Sequence, residues 1–167
     1  MSLTISLTVN EKSHSAALEP STSLLDFLRD TLGYKGVKLC CNTGECGACT
    51  ILFNGKPVNS CVVLGADAAG AEIVTVEGLA DGDKLHPVQQ AFIDTGAVQC
   101  GYCTPGFIIS IKALLDRSKH PTPEEIEEAV SGNICRCTGY TKIVDAIQLA
   151  AEKLEGSTLR LTSKGRS

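Results

Sequence analysis

The chain has 167 residues, of which 43% are hydrophobic and 4% aromatic, and a formal net charge of −4 at pH 7. This length fits one domain of ordinary size or two small ones. Lysine and arginine are scattered along the sequence, so it offers no basic face for nucleic acid, and it has no run of eighteen apolar residues that could insert into a membrane.

The first half of the chain predicts several strands around one helix. Apolar and polar side chains alternate over residues 3–9, which is typical of a half-buried strand. Ser23 is the expected N-cap of a helix that ends at Gly33. Asn54-Gly55 is a strong hairpin signal. Strands are expected at 3–9, in a second segment ending near residue 18, and at 50–53, 58–64 and 73–76.

In the second half the spacing of apolar residues becomes that of helices. Four helices are expected to begin at Pro87, at Pro105, after the N-cap Thr122 and shortly before Ile143, and the last is expected to end at Gly156. The predicted fold class is α+β. A β-grasp, plant-type ferredoxin-like domain over residues 1–78 is followed by a four-helix bundle over 79–156 and a polar tail over 157–167.

Eight of the nine cysteines fall into two sets of four. The first set consists of Cys41, Cys46, Cys49 and Cys61. Its C-x4-C-x2-C spacing with a distant fourth cysteine is the plant-type [2Fe–2S] pattern. Glycines within the loop would let backbone N–H groups approach the cluster sulfurs. A four-cysteine zinc site and a redox dithiol at Cys46 and Cys49 are the alternatives.

The second set consists of Cys100, Cys103, Cys135 and Cys137. Each pair precedes a predicted helix, whose free N–H groups and positive dipole end suit an anionic cluster. A thioredoxin-like redox pair at Cys100 and Cys103 and a zinc site are the alternatives. The context of a thioredoxin-like pair, a strand–helix–strand unit, is missing.

The ninth cysteine, Cys40, is interpreted as a buried free thiol, since using it as a ligand would change the x4 spacing to x5. Tyr102 and Tyr140 are interpreted as packing groups. Gln99 precedes Cys100, and its amide could contact a neighbouring cofactor. The sequence shows no secretory signal, so a cytoplasmic location is expected, where cysteines bind metal more often than they form disulfides.

These motifs resemble those of the small iron–sulfur subunit of the molybdenum hydroxylases, the xanthine dehydrogenase and aldehyde oxidase family. The matching stretches are CNTGECGACT at 41–50, QCGYCTPG at 99–106 and GNICRCTGY at 132–140. The order of the two halves also fits, and the likeness covers roughly residues 3–155. Cys40 departs from the pattern, because the family usually has glycine there.

The resemblance implies an electron-transfer subunit of an oxidoreductase, with a [2Fe–2S] cluster on each cysteine set. Electrons would pass from a molybdopterin cofactor on a large subunit, through both clusters, to FAD on a medium subunit or to another acceptor. Gln99 and Cys137 would contact the pterin, and the complex would be a dimer of heterotrimers. A free-standing two-cluster ferredoxin and a zinc-binding structural protein are the rival functions.

Overall fold

Five strands form one mixed sheet in the computed structural model, which describes residues 2–163. The strands are β1 Leu3–Val9, β2 Lys12–Leu18, β3 Thr50–Phe53, β4 Lys56–Asn59 and β5 Glu72–Val74. They lie in the order β2-β1-β5-β3-β4. Only the β1–β5 pair is parallel, and the other three pairs are antiparallel.

Both hairpins of the sheet use two-residue turns in the left-handed region. Asn10 and Glu11 have φ of 48° and 65°, and Asn54 and Gly55 have φ of 48° and 78°. Positive φ at both central residues gives the turn a twist that matches the twist of the strands. The hairpin predicted at Asn54-Gly55 is therefore confirmed.

The helical segment of the first half lies against this sheet. It begins as α1 Leu24–Asp26 and continues as a π-helix over Phe27–Thr31. Ser23 is its N-cap as predicted, since its Oγ accepts a hydrogen bond of 3.1 Å from the Asp26 N–H. The helical segment and the sheet share one core, which includes Ile5, Val9, Leu24, Phe27, Leu28, Ile51 and Ile73.

The second half contains four helices with a separate core. The helices are α2 Pro87–Asp94, α3 Thr104–Arg117, α4 Pro123–Val130 and α5 Thr141–Ser163. Thr122 and Glu125 form the predicted capping box at the start of α4. Buried side chains from all four helices form this core, among them Val88, Phe92, Phe107, Leu114, Ile126, Ile143 and Ile147.

Three predicted boundaries are wrong. The strand expected over 73–76 lies at Glu72–Val74, and a 3₁₀ turn follows at Val76–Leu79. The strand expected over 58–64 lies at Lys56–Asn59, and a 3₁₀ turn follows at Ser60–Val62. The Ser60 Oγ donates a 2.8 Å hydrogen bond to the Cys49 carbonyl, which turns the chain out of the sheet just before Cys61.

Helix α5 does not end at Gly156 but continues to Ser163, so most of the predicted tail is helical. A glycine inside a helix costs about 1 kcal/mol relative to alanine and does not by itself end the helix. The rest of the predicted tail, residues 164–167, lies outside the described residues.

The structure thus confirms a mixed α/β chain with a strand-rich first half and a helical second half. The β-grasp and four-helix-bundle assignments and the domain limits stay predictions. Within residues 2–163, every helix is too short or too polar to cross a lipid bilayer.

Candidate metal centres

The loop of the first set directs backbone N–H groups towards a thiol. The N–H groups of Thr43 and Cys46 each lie 3.4 Å from the Cys41 Sγ. Positive φ at Gly44 (81°) and Gly47 (68°) permits this curled backbone. The Thr43 side chain, followed by these two N–H groups, lowers the pKa of Cys41 to about 5. The loop therefore favours a thiolate at Cys41.

The other half of the first set is buried. Cys49 lies at the end of the loop before β3, and Cys61 lies in the 3₁₀ turn after β4. Burial and the neighbouring Cys49 thiol raise the pKa of Cys61 to about 12. A bound metal requires both as thiolates, so binding would release protons here.

The second set lies at the starts of two helices, as predicted. Cys103 is the N-cap of α3, and α5 begins four residues after Cys137. Burial, and then the neighbouring Cys135, raises the pKa of Cys103 to about 12. Burial also opposes ionisation of Cys135, but hydrogen bonds from Thr138, the Cys137 N–H and the Cys103 thiol together outweigh it and lower the Cys135 pKa. The Thr138 Oγ1 lies 3.1 Å and its N–H 3.4 Å from the Cys135 Sγ.

All eight predicted cysteines are brought together in pairs. Cys49 lies beside Cys61, Cys100 beside Cys137 and Cys103 beside Cys135, whereas Cys46 lies beside both Cys41 and Cys40. Among residues 2–163, no three His, Cys, Asp or Glu side chains are grouped closely enough to hold one metal ion. Two thiol pairs per set suit a two-iron cluster, in which four thiolates are shared between two irons. The donor sets therefore fit [2Fe–2S] clusters.

The two sets are in contact through the backbone. The Ile134 N–H donates a 2.9 Å hydrogen bond to the Cys46 carbonyl. Ile134 directly precedes Cys135, so this bond joins a member of the first set to the residue before a member of the second. No local pattern in the sequence indicates this contact, because it depends on how the two halves pack.

The outer edge of the second set lies at the surface. Gln99, Cys100 and Cys137 are all exposed, whereas Cys135 is buried against the rest of the chain. Gln99 therefore lies where a neighbouring molecule could reach its amide.

Two tyrosines have roles beyond packing, which corrects their interpretation. The Tyr102 hydroxyl donates to the Leu39 carbonyl, across the two halves of the chain. The Tyr140 hydroxyl accepts a 3.0 Å hydrogen bond from the Cys135 N–H, while its ring contacts Phe107 edge-on. Both tyrosines thus hold cysteine loops in place.

Cys40 is exposed, so its interpretation as a buried thiol is wrong. The thiol lies beside that of Cys46, which is the main reason that the Cys40 pKa is raised. Cys40 is exposed because the loop directs the Cys41 thiol towards its own backbone N–H groups, which leaves the neighbouring Cys40 facing solvent.

Sequence reasoning missed Thr138 and Asn133. Thr138 follows Cys137 directly, and a hydroxyl within three residues of a cysteine is a readable signal for a donor to sulfur. Asn133 is buried between the two halves, and a lone asparagine before a cysteine carries no such signal.

Two [2Fe–2S] family models together match most of the chain. The 2Fe-2S iron-sulfur cluster binding domain matches residues 7–79, and the [2Fe-2S] binding domain matches residues 75–148. The chain is 51% identical over 151 residues to the nicotinate dehydrogenase small FeS subunit of Eubacterium barkeri, covering 90% of this chain and 96% of that one.

Two further proteins are similar to this chain, one in sequence and one in solved structure. A probable xanthine dehydrogenase subunit of Bacillus subtilis is 43% identical over 150 residues, covering 90% of this chain and 86% of that one. The crystal structure of quinoline 2-oxidoreductase from Pseudomonas putida 86 superposes with a TM-score of 0.87 at 43% identity, covering 90% of this chain and 94% of that chain.

Replacing Cys40 with alanine should leave both clusters in place, because the loop N–H groups are directed at Cys41. Electron spin resonance of the reduced Cys40→Ala protein should show both cluster signals unchanged. Cys41→Ser is the matched comparison and should alter one of them. If Cys40→Ala loses a signal and Cys41→Ser keeps it, Cys40 is the ligand.

Replacing Thr138 with valine should lower the reduction potential of the second cluster, because its hydroxyl stabilises the extra negative charge of the reduced state. A change on the order of 1 kcal/mol corresponds to roughly 40 mV for one electron. A potentiometric titration followed by spin resonance measures this shift.

Thr95→Val is the control for Thr138→Val, since the Thr95 hydroxyl bonds the Ala91 carbonyl rather than a sulfur. An equal shift in both variants, or none in Thr138→Val, would show that Thr138 does not act on the cluster.

Proposed function

Because the chain belongs to the molybdenum hydroxylase family, as its small iron–sulfur subunit, we propose that its eight paired cysteines are the ligands of the two [2Fe–2S] clusters. The proposed ligands are Cys41, Cys46, Cys49 and Cys61 for one cluster and Cys100, Cys103, Cys135 and Cys137 for the other. The function is electron transfer within an oxidoreductase, from a molybdopterin centre through both clusters to FAD or another acceptor. Each cluster, when bound, accepts and returns one electron.

The observation that supports this proposal most strongly is that hydrogen-bond donors of the chain are directed at a cysteine sulfur in each set. The chain contributes fixed donors at each centre: two N–H groups at Cys41 and the hydroxyl and N–H of Thr138 at Cys135. Preorganised donors of this kind stabilise negative charge on sulfur without rearranging when an electron arrives.

The exposed edge of the second set supports a proposed direction of transfer. Gln99 and Cys137 lie at the surface, while Ile134, the residue before Cys135, bonds the Cys46 carbonyl of the first set. We infer that Gln99 and Cys137 contact the pterin of the large subunit, as in the family that the motifs resemble. Electrons then arrive at the helical half and leave from the strand-rich half.

The relatives are subunits of multi-subunit enzymes, and this chain is a subunit of the same kind. We propose a large subunit with the molybdopterin, a medium subunit with FAD, and a dimer of such heterotrimers. We propose a cytoplasmic location, because eight thiols that bind clusters must stay reduced and the cytosol keeps thiols reduced.

The two separate cores support the proposed limits of a ferredoxin-like domain at 1–78 and a four-helix bundle at 79–156. The packing of α2 against α5 and of α3 against α4 supports the bundle. The small 3₁₀ turn Val76–Leu79 lies between the two halves, with Val76 and Leu79 packed on the helical core.

Rapid mixing of the native complex with its substrate tests the direction of transfer. A ligand change in the second set, such as Cys103→Ser, should block reduction of the first cluster and the flavin. The corresponding change Cys49→Ser should leave the second cluster reducible by substrate and stop only the onward transfer. Reduction of the first cluster at the normal rate in Cys103→Ser would contradict this order.

Replacing Gln99 with alanine tests the pterin contact. Loss of one amide hydrogen bond to a buried cofactor should cost about 1–3 kcal/mol, which would slow transfer or weaken assembly without loss of iron. The control is Gln148→Ala, which changes an exposed glutamine on α5. If Gln99→Ala and Gln148→Ala both match the wild type in assembly, rate and cofactor content, Gln99 does not contact the pterin.

A further inference from the structure

The loops of the two cysteine sets meet at an interface with no room for a side chain. A Cβ at Gly47 would lie 2.2 Å from the Gly132 carbonyl oxygen. A Cβ at Gly106, in the first turn of α3, would lie 2.1 Å from the Gly47 carbonyl oxygen. Both distances are far below van der Waals contact, so the two backbones approach as closely as atoms permit.

Asn133 occupies the centre of this interface. It is 4% exposed, and its side chain bonds residues from both halves of the chain. Its Nδ2 donates to the Gly47 carbonyl at 3.0 Å and lies 3.5 Å from the Thr50 Oγ1. Its Oδ1 accepts a 2.7 Å hydrogen bond from the Ser110 hydroxyl on α3. Every polar atom of this buried amide is therefore satisfied.

The hydrogen bonds of Asn133 continue into the loop of the first set. The Thr50 Oγ1 lies 2.7 Å from the Gly47 carbonyl oxygen and 3.1 Å from the Asn59 Oδ1. The Asn59 Nδ2 donates to the Gly44 carbonyl at 2.6 Å. A continuous polar network thus runs from the loop of the first set to the helix that follows Cys103.

We propose that Asn133 is a positioning residue for electron transfer, because it fixes the separation and orientation of the two clusters. This inference rests on the proposed function, since it assumes a cluster on each set. Asn133 lies two residues before Cys135 and bonds Gly47, the residue after Cys46. Its displacement would move one ligand of each cluster, and the rate of electron transfer falls steeply with separation.

The chemistry of the site requires an amide. The side chain must donate on one side, to the Gly47 carbonyl, and accept on the other, from Ser110. Aspartate has the same shape but would place a carboxylate oxygen against the Gly47 carbonyl. That repulsion would separate the loops, although all eight cysteines would still be present as ligands.

The test uses the complete complex carrying Asn133→Asp, with both clusters reduced. Two measurements are made: the magnetic splitting between the clusters by spin resonance in this reduced state, and the rate of transfer between them by rapid freeze-quenching after the oxidised complex is mixed with substrate. Iron content should stay at the wild-type level while the splitting weakens. Transfer should slow severalfold, because the rate of electron transfer falls steeply as the clusters move apart.

Ser110→Ala is a milder second variant, since it removes only the donor to the Asn133 Oδ1. Ser110→Ala should also weaken the splitting, but by less than Asn133→Asp does. Asn10→Asp is the matched control. Asn10 makes a similar amide contact, donating to the Thr75 hydroxyl at 2.9 Å, away from both cysteine sets. The Asn10→Asp variant should therefore have the splitting and the transfer rate of the wild type.

Wild-type splitting and rate in Asn133→Asp with full iron content would overturn the inference. If Asn133→Asp loses iron, an unchanged splitting in Ser110→Ala overturns it instead. Absence of two cluster signals from the wild-type complex would be a different result, since it would contradict the proposed function itself.

Discussion

The rest of the structure depends on the contact between the two cysteine loops, where the Ile134 N–H bonds the Cys46 carbonyl. The contact requires glycine at Gly47 and Gly106, since a Cβ at either would meet a carbonyl oxygen. It also requires the turn after α4 that brings Ile134 and Cys135 next to the loop of the first set. One short backbone contact, between residues 88 positions apart in sequence, therefore explains the glycines, the buried asparagine and the closeness of the two centres.

Each half of the chain has a core of modest size, with few aromatic side chains. Small domains bury a smaller fraction of their surface than large ones, so their stability is limited. Metal clusters that cross-link four cysteines add binding free energy to the folded state. In this chain the thiols that we propose as cluster ligands also lie on separate segments, such as Cys49 with Cys61 and Cys103 with Cys135. Stability and function are therefore properties of the same residues.

Much of the candidate site could be predicted from the sequence, because cysteine spacing and helix caps are local signals. The capping roles of Ser23 and Thr122 and the pairing of the second set are examples. The exposure of Cys40 and the contacts of Tyr140 could not be predicted, since they depend on which way a loop faces and on what lies across it. The end of α5 was misjudged because a glycine ends a helix only in a suitable context, which the sequence does not state.

The most direct test of the account is a combined analysis of iron, acid-labile sulfide and reducing equivalents on the anaerobically purified chain. Two [2Fe–2S] clusters require about four irons and four sulfides per chain and an uptake of about two electrons. We expect these values, with two distinct spin-resonance signals on reduction. Stoichiometric zinc without a reducible chromophore would contradict the account.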